Sequence, residues 1–235
     1  MKNRGNRVGF SALASVLVFL FLVVAAGPVT GQEYSKQQQM VDKAKMTFEK
    51  FIADPNVGWG PKQAARVKGV MIVPQLLRGA FIFGGAGGSG VFLMRDAKTG
   101  KWSEPAFYTM GSASFGFQIG ADSSEIVLLV MTTQGAETFL STSFKLGGDV
   151  SVAAGPVGAG AKGQTTFQSA DILSYSLAKG VFAGVSLEGA GVAVSKGSNQ
   201  AYYGKGTRPT DILVTYEAKN PKSADLVATV AKAMQ

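Results

Sequence analysis

Two residue types are missing from this 235-residue sequence altogether, cysteine and histidine. Without cysteine there is no disulfide, no thiolate metal site, no thiol nucleophile and no lipidated cysteine of the bacterial lipoprotein kind. Without histidine the commonest general base at neutral pH and a usual zinc ligand are gone too. An enzyme built on this chain would have to work with carboxylates, lysine or a bound cofactor, and no cofactor is expected. Proline is scarce at 8 residues, whereas glycine is abundant at 31 with no Gly-X-Y period, so collagen is excluded and glycine serves as punctuation of strands and turns. No internal repeat is present. Nucleic acid is not an expected partner, since the positive excess is dilute and poor in arginine.

What is present begins with an export-like N-terminus. Lys2, Arg4 and Arg7 form a basic head, and Phe10 to Ala26 is an uncharged, mostly apolar run. Cleavage after Ala26 or Gly31 fits the small residues there, and an uncleaved anchor is the alternative. The chain therefore divides into a signal peptide over 1–31, one domain over 32–218 and a C-terminal helix or tail over 219–235. Removing residues 1–32 lowers the formal charge from +8 to +5, leaving 20 Lys and Arg against 15 Asp and Glu. That balance suits an anionic membrane surface and equally a soluble basic protein.

Spacing predicts one amphipathic helix over Lys36–Ala53. Met40, Val41, Ala44, Phe48, Phe51 and Ile52 fall in one arc at 100° per residue, with Asp42 and Glu49 opposite. Lys36, Lys43 and Lys50 recur every seven residues along one border of that arc, and Lys45 stands at the other. Their long stems can cover hydrocarbon while the ammonium groups reach polar surroundings. Two roles are open to this helix, packing on the domain's own sheet or lying at a membrane interface. From Ala65 onward, short apolar runs broken by glycine predict strands at 69–73, 80–85, 90–94, 105–118, 126–131, 150–157, 164–175 and 182–194. Hairpin turns are expected at Asp96–Gly100 and Lys196–Asn199, and a short helix within 133–142. Thr207–Leu213 reads as a brief helical turn. A last helix from Ser223 carries an apolar stripe of Ala224, Val227, Ala228, Ala231 and Met234. The expected fold class is α+β: a mostly antiparallel, glycine-rich, curled sheet (sandwich or half-barrel) with an N-terminal amphipathic helix and short peripheral helices.

Several short motifs spell known chemistry without its context. Gly85-Ala86-Gly87-Gly88-Ser89-Gly90 matches the dinucleotide pattern, but Val91 to Met94 continues as a strand where a helix would have to start. Ser176-Leu177-Ala178-Lys179 matches a serine-nucleophile motif, yet Ser176 belongs to a strand region. The acids Asp122, Glu125, Glu137, Asp149, Asp171 and Glu188 are too scattered to name a catalytic pair. Glu188 is either solvent-facing or a buried structural carboxylate. Lys62, Arg66, Lys68 and Arg78 form a basic set suited to a phosphate headgroup.

Five ordered pieces carry a resemblance: Trp102-Ser103-Glu104-Pro105, Gly116-Phe117-Gln118-Ile119-Gly120, Ala154-Gly155-Pro156-Val157-Gly158, Ser174-Tyr175-Ser176, and the run Lys179-Gly180-Val181-Phe182-Ala183-Gly184-Val185-Ser186-Leu187-Glu188-Gly189. Together they resemble the SYLF lipid-binding domain family, in the form of an exported bacterial member. The resemblance implies a non-catalytic protein of the periplasm or cell envelope that associates with anionic phospholipids. Phosphoinositides are the headgroups bound in eukaryotic members, and phosphatidylglycerol, cardiolipin or lipid A are the candidates in a bacterial envelope. On this reading Lys62, Arg66, Lys68 and Arg78 attract headgroups, while Met40, Phe48 and Phe51 insert once the first helix is released. The alternative is an envelope module that binds another protein without specific lipid binding.

Overall fold

A computed structural model describes residues 35–57, 61–80, 83–115, 120–157, 169–178 and 180–235. The export-like segment and residues 81–82, 116–118 and 164–168 of the expected strands lie outside the described residues. Residues 35–235 form one compact unit.

Helix α1 (Lys36–Ala53) starts where Ser35 Oγ accepts the Gln38 amide at 3.1 Å, and it stops at Asp54, whose backbone is extended. This is the expected N-cap chemistry, with a side-chain oxygen taking up one of the orphan N–H groups of the first turn. After a 3-10 turn at Pro55–Val57 and a short helix α2 (Pro61–Ala64), nine described strands follow: β1 (Gly69–Ala80), β2 (Phe83–Met94), β3 (Ala106–Phe115), β4 (Gly120–Val130), β5 (Ser143–Lys145), β6 (Val152–Ala154), β7 (Ile172–Ala178), β8 (Val181–Gly184) and β9 (Gly191–Val194). Helix α3 (Thr133–Thr138) precedes β5, while α4 (Lys196–Tyr203), α5 (Pro209–Leu213) and α6 (Ala224–Ala233) close the chain. The strands make one sheet in the order β5-β9-β3-β2-β1-β4-β7-β6, with β8 also on β7. All pairs are antiparallel except β6 with β7.

Both faces of the sheet are apolar, because side chains alternate and each face has its own cover. Val70, Ile72, Val91, Leu93, Val127 and Leu129 meet α1 and α6, whereas Met71, Val73, Phe92, Tyr108, Ile126 and Leu128 meet Phe139, Phe144 and Ile212 on the other side. The buried rings of Phe92 and Phe139 stack at 3.8 Å in this second core. Both ladders of β1 shift register around Pro74. Proline brings no N–H to the ladder, so a bulge is the conformation that costs least there. Next to it β2 passes very close: a Cβ on Gly88 would lie 2.4 Å from Gln75 O, and one on Gly90 would lie 2.3 Å from Ile72 O. The glycines that suggest strand breaks are thus inside a twelve-residue strand, and their lack of a side chain is what admits it.

Three local expectations need correction. Lys196–Asn199 is not a hairpin turn but the first half of α4, held because buried Asn199 accepts the Phe107 amide on Oδ1 at 2.8 Å and donates from Nδ2 to Phe107 O at 3.2 Å. The strand expected over 182–194 is two strands separated by a turn in which Gly189 adopts φ +80°. Of the stripe expected on α6, Met234 at the C-cap is buried and Val227 and Ala231 pack against the core, while Ala224 and Ala228 face solvent and Leu226 and Val230 are buried in their place, since the larger residues take the face toward α1.

Phe51 is fully buried, with ring contacts to Tyr175 at 5.0 Å, Phe182 at 5.3 Å and Phe48 at 6.0 Å. Removing it leaves a cavity that rigid strands cannot fill. Phe51→Ala is therefore expected to lower unfolding free energy by about 3–5 kcal/mol, checked by chemical denaturation.

Candidate functional site

An open cleft of about 870 Å³ lies where the C-terminal half of α1, the β1 bulge, β4 and the β7–β8 hairpin converge. Lys43, Lys50 and Asp54 come from the helix, Pro74 and Gln75 from the bulge, Ser123 and Glu125 from β4, and Leu177, Gly180 and Phe182 from the hairpin. Three contacts fix its walls. Glu125 accepts the Thr47 hydroxyl on one oxygen and the Lys50 ammonium at 2.6 Å on the other. Asp54 accepts the Phe182 amide at 3.0 Å and the Asn56 amide at 2.8 Å. Gly180, at φ +83°, makes the tight turn that returns β8 onto β7. The bond from the Phe182 amide, with those from Asn56, holds the Asp54 carboxyl below its ordinary range.

Gly180 and Phe182 of the residues that carry the resemblance line the cleft, and others of them pack behind it. Phe182 packs on Phe51, Ser174 Oγ donates to Val185 O at 2.5 Å, and Tyr175 lies against Gly155 so closely that a Cβ there would fall 2.1 Å from the ring. A Cβ on Gly184 would lie 2.2 Å from Gly155 O. Trp102 and Ser103 are buried, and Glu104 accepts the Ser223 hydroxyl at the start of α6. These motifs act here as a socket for α1. Leu187 is buried, whereas Glu188 is exposed, its stem resting near Gly147.

The site residues expected from sequence are distributed unevenly. Phe48 and Phe51 are buried in the core and Met40 is half-buried against it. Insertion by these three requires α1 to leave its socket. Lys36, Lys43 and Lys50 are exposed along one stripe, and Lys45 pairs with Glu49 at 3.1 Å. Among the described residues Lys36 and Lys43 have no carboxylate within salt-bridge distance. Lys62 falls in α2, and Arg66 is exposed in the turn after it. Lys68 precedes β1 and Arg78 lies near its far end, so a strand of about 3.3 Å per residue holds these two apart. The structure does not gather this basic set into one patch. One residue escaped the sequence reading, Met46, a half-exposed apolar side chain between Lys43 and Lys50, while Glu125, one of the scattered acids, meets Lys50 from 75 positions away. The signal for Met46 was the outward arc of α1, since 43, 46 and 50 are helical neighbours. The glycine motif at 85–90 is strand, and Ser176 is buried in β7, so neither has the helix start its chemistry needs.

Residues 111–233 match the family model described as Ysc84, Las17-binding protein actin regulator. The chain belongs to this family. It is the SYLF family indicated by the sequence motifs. It is 31% identical to Protein YSC84 of Saccharomyces cerevisiae across 78% of this chain and 40% of that protein. It is 35% identical to LAS seventeen-binding protein 3 of the same yeast across 69% of this chain and 37% of that protein. It is 32% identical to human SH3 domain-containing YSC84-like protein 1, across 69% and 47%. The chain thus spans less than half the length of these Ysc84 relatives.

The lowered Asp54 gives a pH test with a definite sign. A carboxyl whose folded value lies below its ordinary 3.8 stabilises the fold above that value and loses this contribution as pH falls through the folded one. Asp54→Asn should be less stable than the parent at pH 7, with the gap closing below about pH 4, followed by thermal melts across pH.

Proposed function

We propose that this Ysc84-family domain is an exported, non-catalytic protein that binds anionic phospholipid surfaces through the outward face of α1. One observation carries the reading: Lys36, Lys43 and Lys50 line one exposed border of a helix whose apolar arc is locked in the core, with exposed Met46 on the outward face beside them. A folded helix can meet a membrane with this stripe at no cost in core packing, since lysine stems lie along the surface and Met46 reaches the headgroup boundary. Among the described residues neither Lys36 nor Lys43 forms a salt bridge. The lack of both cysteine and histidine supports a binding role over a catalytic one. The basic head and apolar run of residues 2–26 support export to the periplasm or envelope. This reading moves the lipid contact from Phe48 and Phe51 to the lysine stripe, and phosphatidylglycerol or cardiolipin supply the anionic headgroups.

A second reading, a protein-interaction module, is supported by the relatives' names, which speak of Las17 binding and SH3 domains. Crosslinking in cells separates the two, because a single dominant protein partner with no lipid would favour it.

Each lysine near an anionic surface contributes on the order of 1 kcal/mol, so charge reversal of two has a measurable effect. Residues 32–235 should sediment with phosphatidylglycerol vesicles in low salt and release as salt rises. Lys36→Glu combined with Lys43→Glu should weaken binding about tenfold or more. Equal sedimentation of parent and double variant at every salt concentration would reject the electrostatic role.

A further inference from the structure

With no cysteine in the chain, the thioether of methionine is the side chain most readily oxidised by a peroxide. Of the eight methionines, Met1 stands in the export-like N-terminus and the other seven fall in the compact unit. Met71, Met110, Met131 and Met234 are buried, and Met40 and Met94 are half-buried against the two cores. Met46 is the one of the seven that stands open to solvent, 53% exposed on the outward face of α1, and it takes part in neither core. A small oxidant can reach this sulfur without any opening of the fold.

The neighbours of Met46 decide what oxidation does there. Lys43 and Lys50 occupy the i−3 and i+4 positions, which meet position i on a helix surface. The Lys50 ammonium is held by Glu125 at 2.6 Å, and the Glu49 carboxylate by Lys45 at 3.1 Å. Lys43 forms no salt bridge among the described residues, so it is the neighbour left to respond. A thioether sulfur is a weak hydrogen-bond acceptor, whereas a sulfoxide is polar and its oxygen accepts well. At position 46 it would replace an apolar tip with a polar one and offer the Lys43 ammonium an acceptor on its own helix. The first change removes the group that reaches the hydrocarbon boundary, and the second competes for a cation that attracts phosphate.

We infer that Met46 is a site of reversible oxidation by peroxide-class oxidants, and that its sulfoxide releases α1 from a lipid surface. The sulfur lone pair attacks the peroxide, an S–O bond forms as the O–O bond breaks, and the proton of the transferred oxygen passes to the departing hydroxide, which leaves as water. Sulfur gives up two electrons and the peroxide takes them. A thiol-dependent methionine sulfoxide reductase reverses the change, with two thiols oxidised to a disulfide and the oxygen lost as water. The choice of Met46 rests on exposure alone, whereas the release rests on the lipid-binding reading and deepens it.

The test takes residues 32–235 through dilute hydrogen peroxide at neutral pH, with oxidation followed by mass spectrometry of the peptides. Met46 should gain one oxygen about tenfold faster than any of the other six methionines. Protein oxidised at Met46 should bind phosphatidylglycerol vesicles about fivefold more weakly than the untreated parent, with an unchanged melting temperature, and recover after treatment with sulfoxide reductases and dithiothreitol. Met46→Leu should sediment equally before and after peroxide, and Met46→Gln should sediment like the oxidised parent. Oxidation spread evenly over the seven methionines would overturn the site. Full oxidation of Met46 with unchanged vesicle binding, an equal loss of binding in peroxide-treated Met46→Leu, or a loss that accompanies a lower melting temperature would overturn the release and leave the lipid-binding reading standing. An untreated parent that sediments with no vesicle would overturn both.

Discussion

Seating of the Phe51 ring between Tyr175 and Phe182 is the contact on which the rest of this fold depends. It joins the first element of the compact unit to strands more than a hundred residues later, and two glycines make it possible. Gly155 lets Tyr175 lie flat enough to receive the ring, and Gly184 lets β8 close over Gly155. A side chain at either position would push one wall of the socket outward. The family motif around Phe182 is thus explained by packing, without any reference to ligand.

That constraint decides between two uses of the first helix. An amphipathic helix can cover a sheet or cover a membrane, and the same apolar residues cannot do both at once. With Phe48 and Phe51 fully buried, exchanging the core for lipid would forgo several aromatic contacts before any gain at the bilayer. The outward stripe carries no such penalty. Glu125 reinforces the arrangement by holding Thr47 and Lys50 from the sheet side, although an exposed ion pair of this kind contributes little by itself.

Much of the fold was legible in the sequence because it rests on local period and composition. The 3.6-residue repeat of α1, the turn at Asp96–Gly100 and the antiparallel, glycine-rich character of the sheet are all of that kind. Positions that depend on distant partners were not. The stripe of α6 was legible only in part, because small alanines and bulky Leu226 and Val230 offer two faces, and only α1 chooses between them. Gly84 to Gly90 looked like interruptions, since nothing local reveals that a bulge at Pro74 must be crossed at close range. The basic set was close in sequence and spread along a strand in space. Met46 was overlooked because an apolar residue on the polar arc has no meaning until the opposite arc is known to be buried.

Asn199 shows what a single side chain can do for a sheet. Its amide engages both the N–H and the C=O of Phe107, so it occupies the place a neighbouring peptide group would take beyond the end of β9. An unpaired strand margin is an invitation to a stray chain, and covering it with a helix is one of the ways proteins refuse it. By sealing that short margin of β3 from a helix, Asn199 leaves the backbone of Phe107 closed to a stray strand.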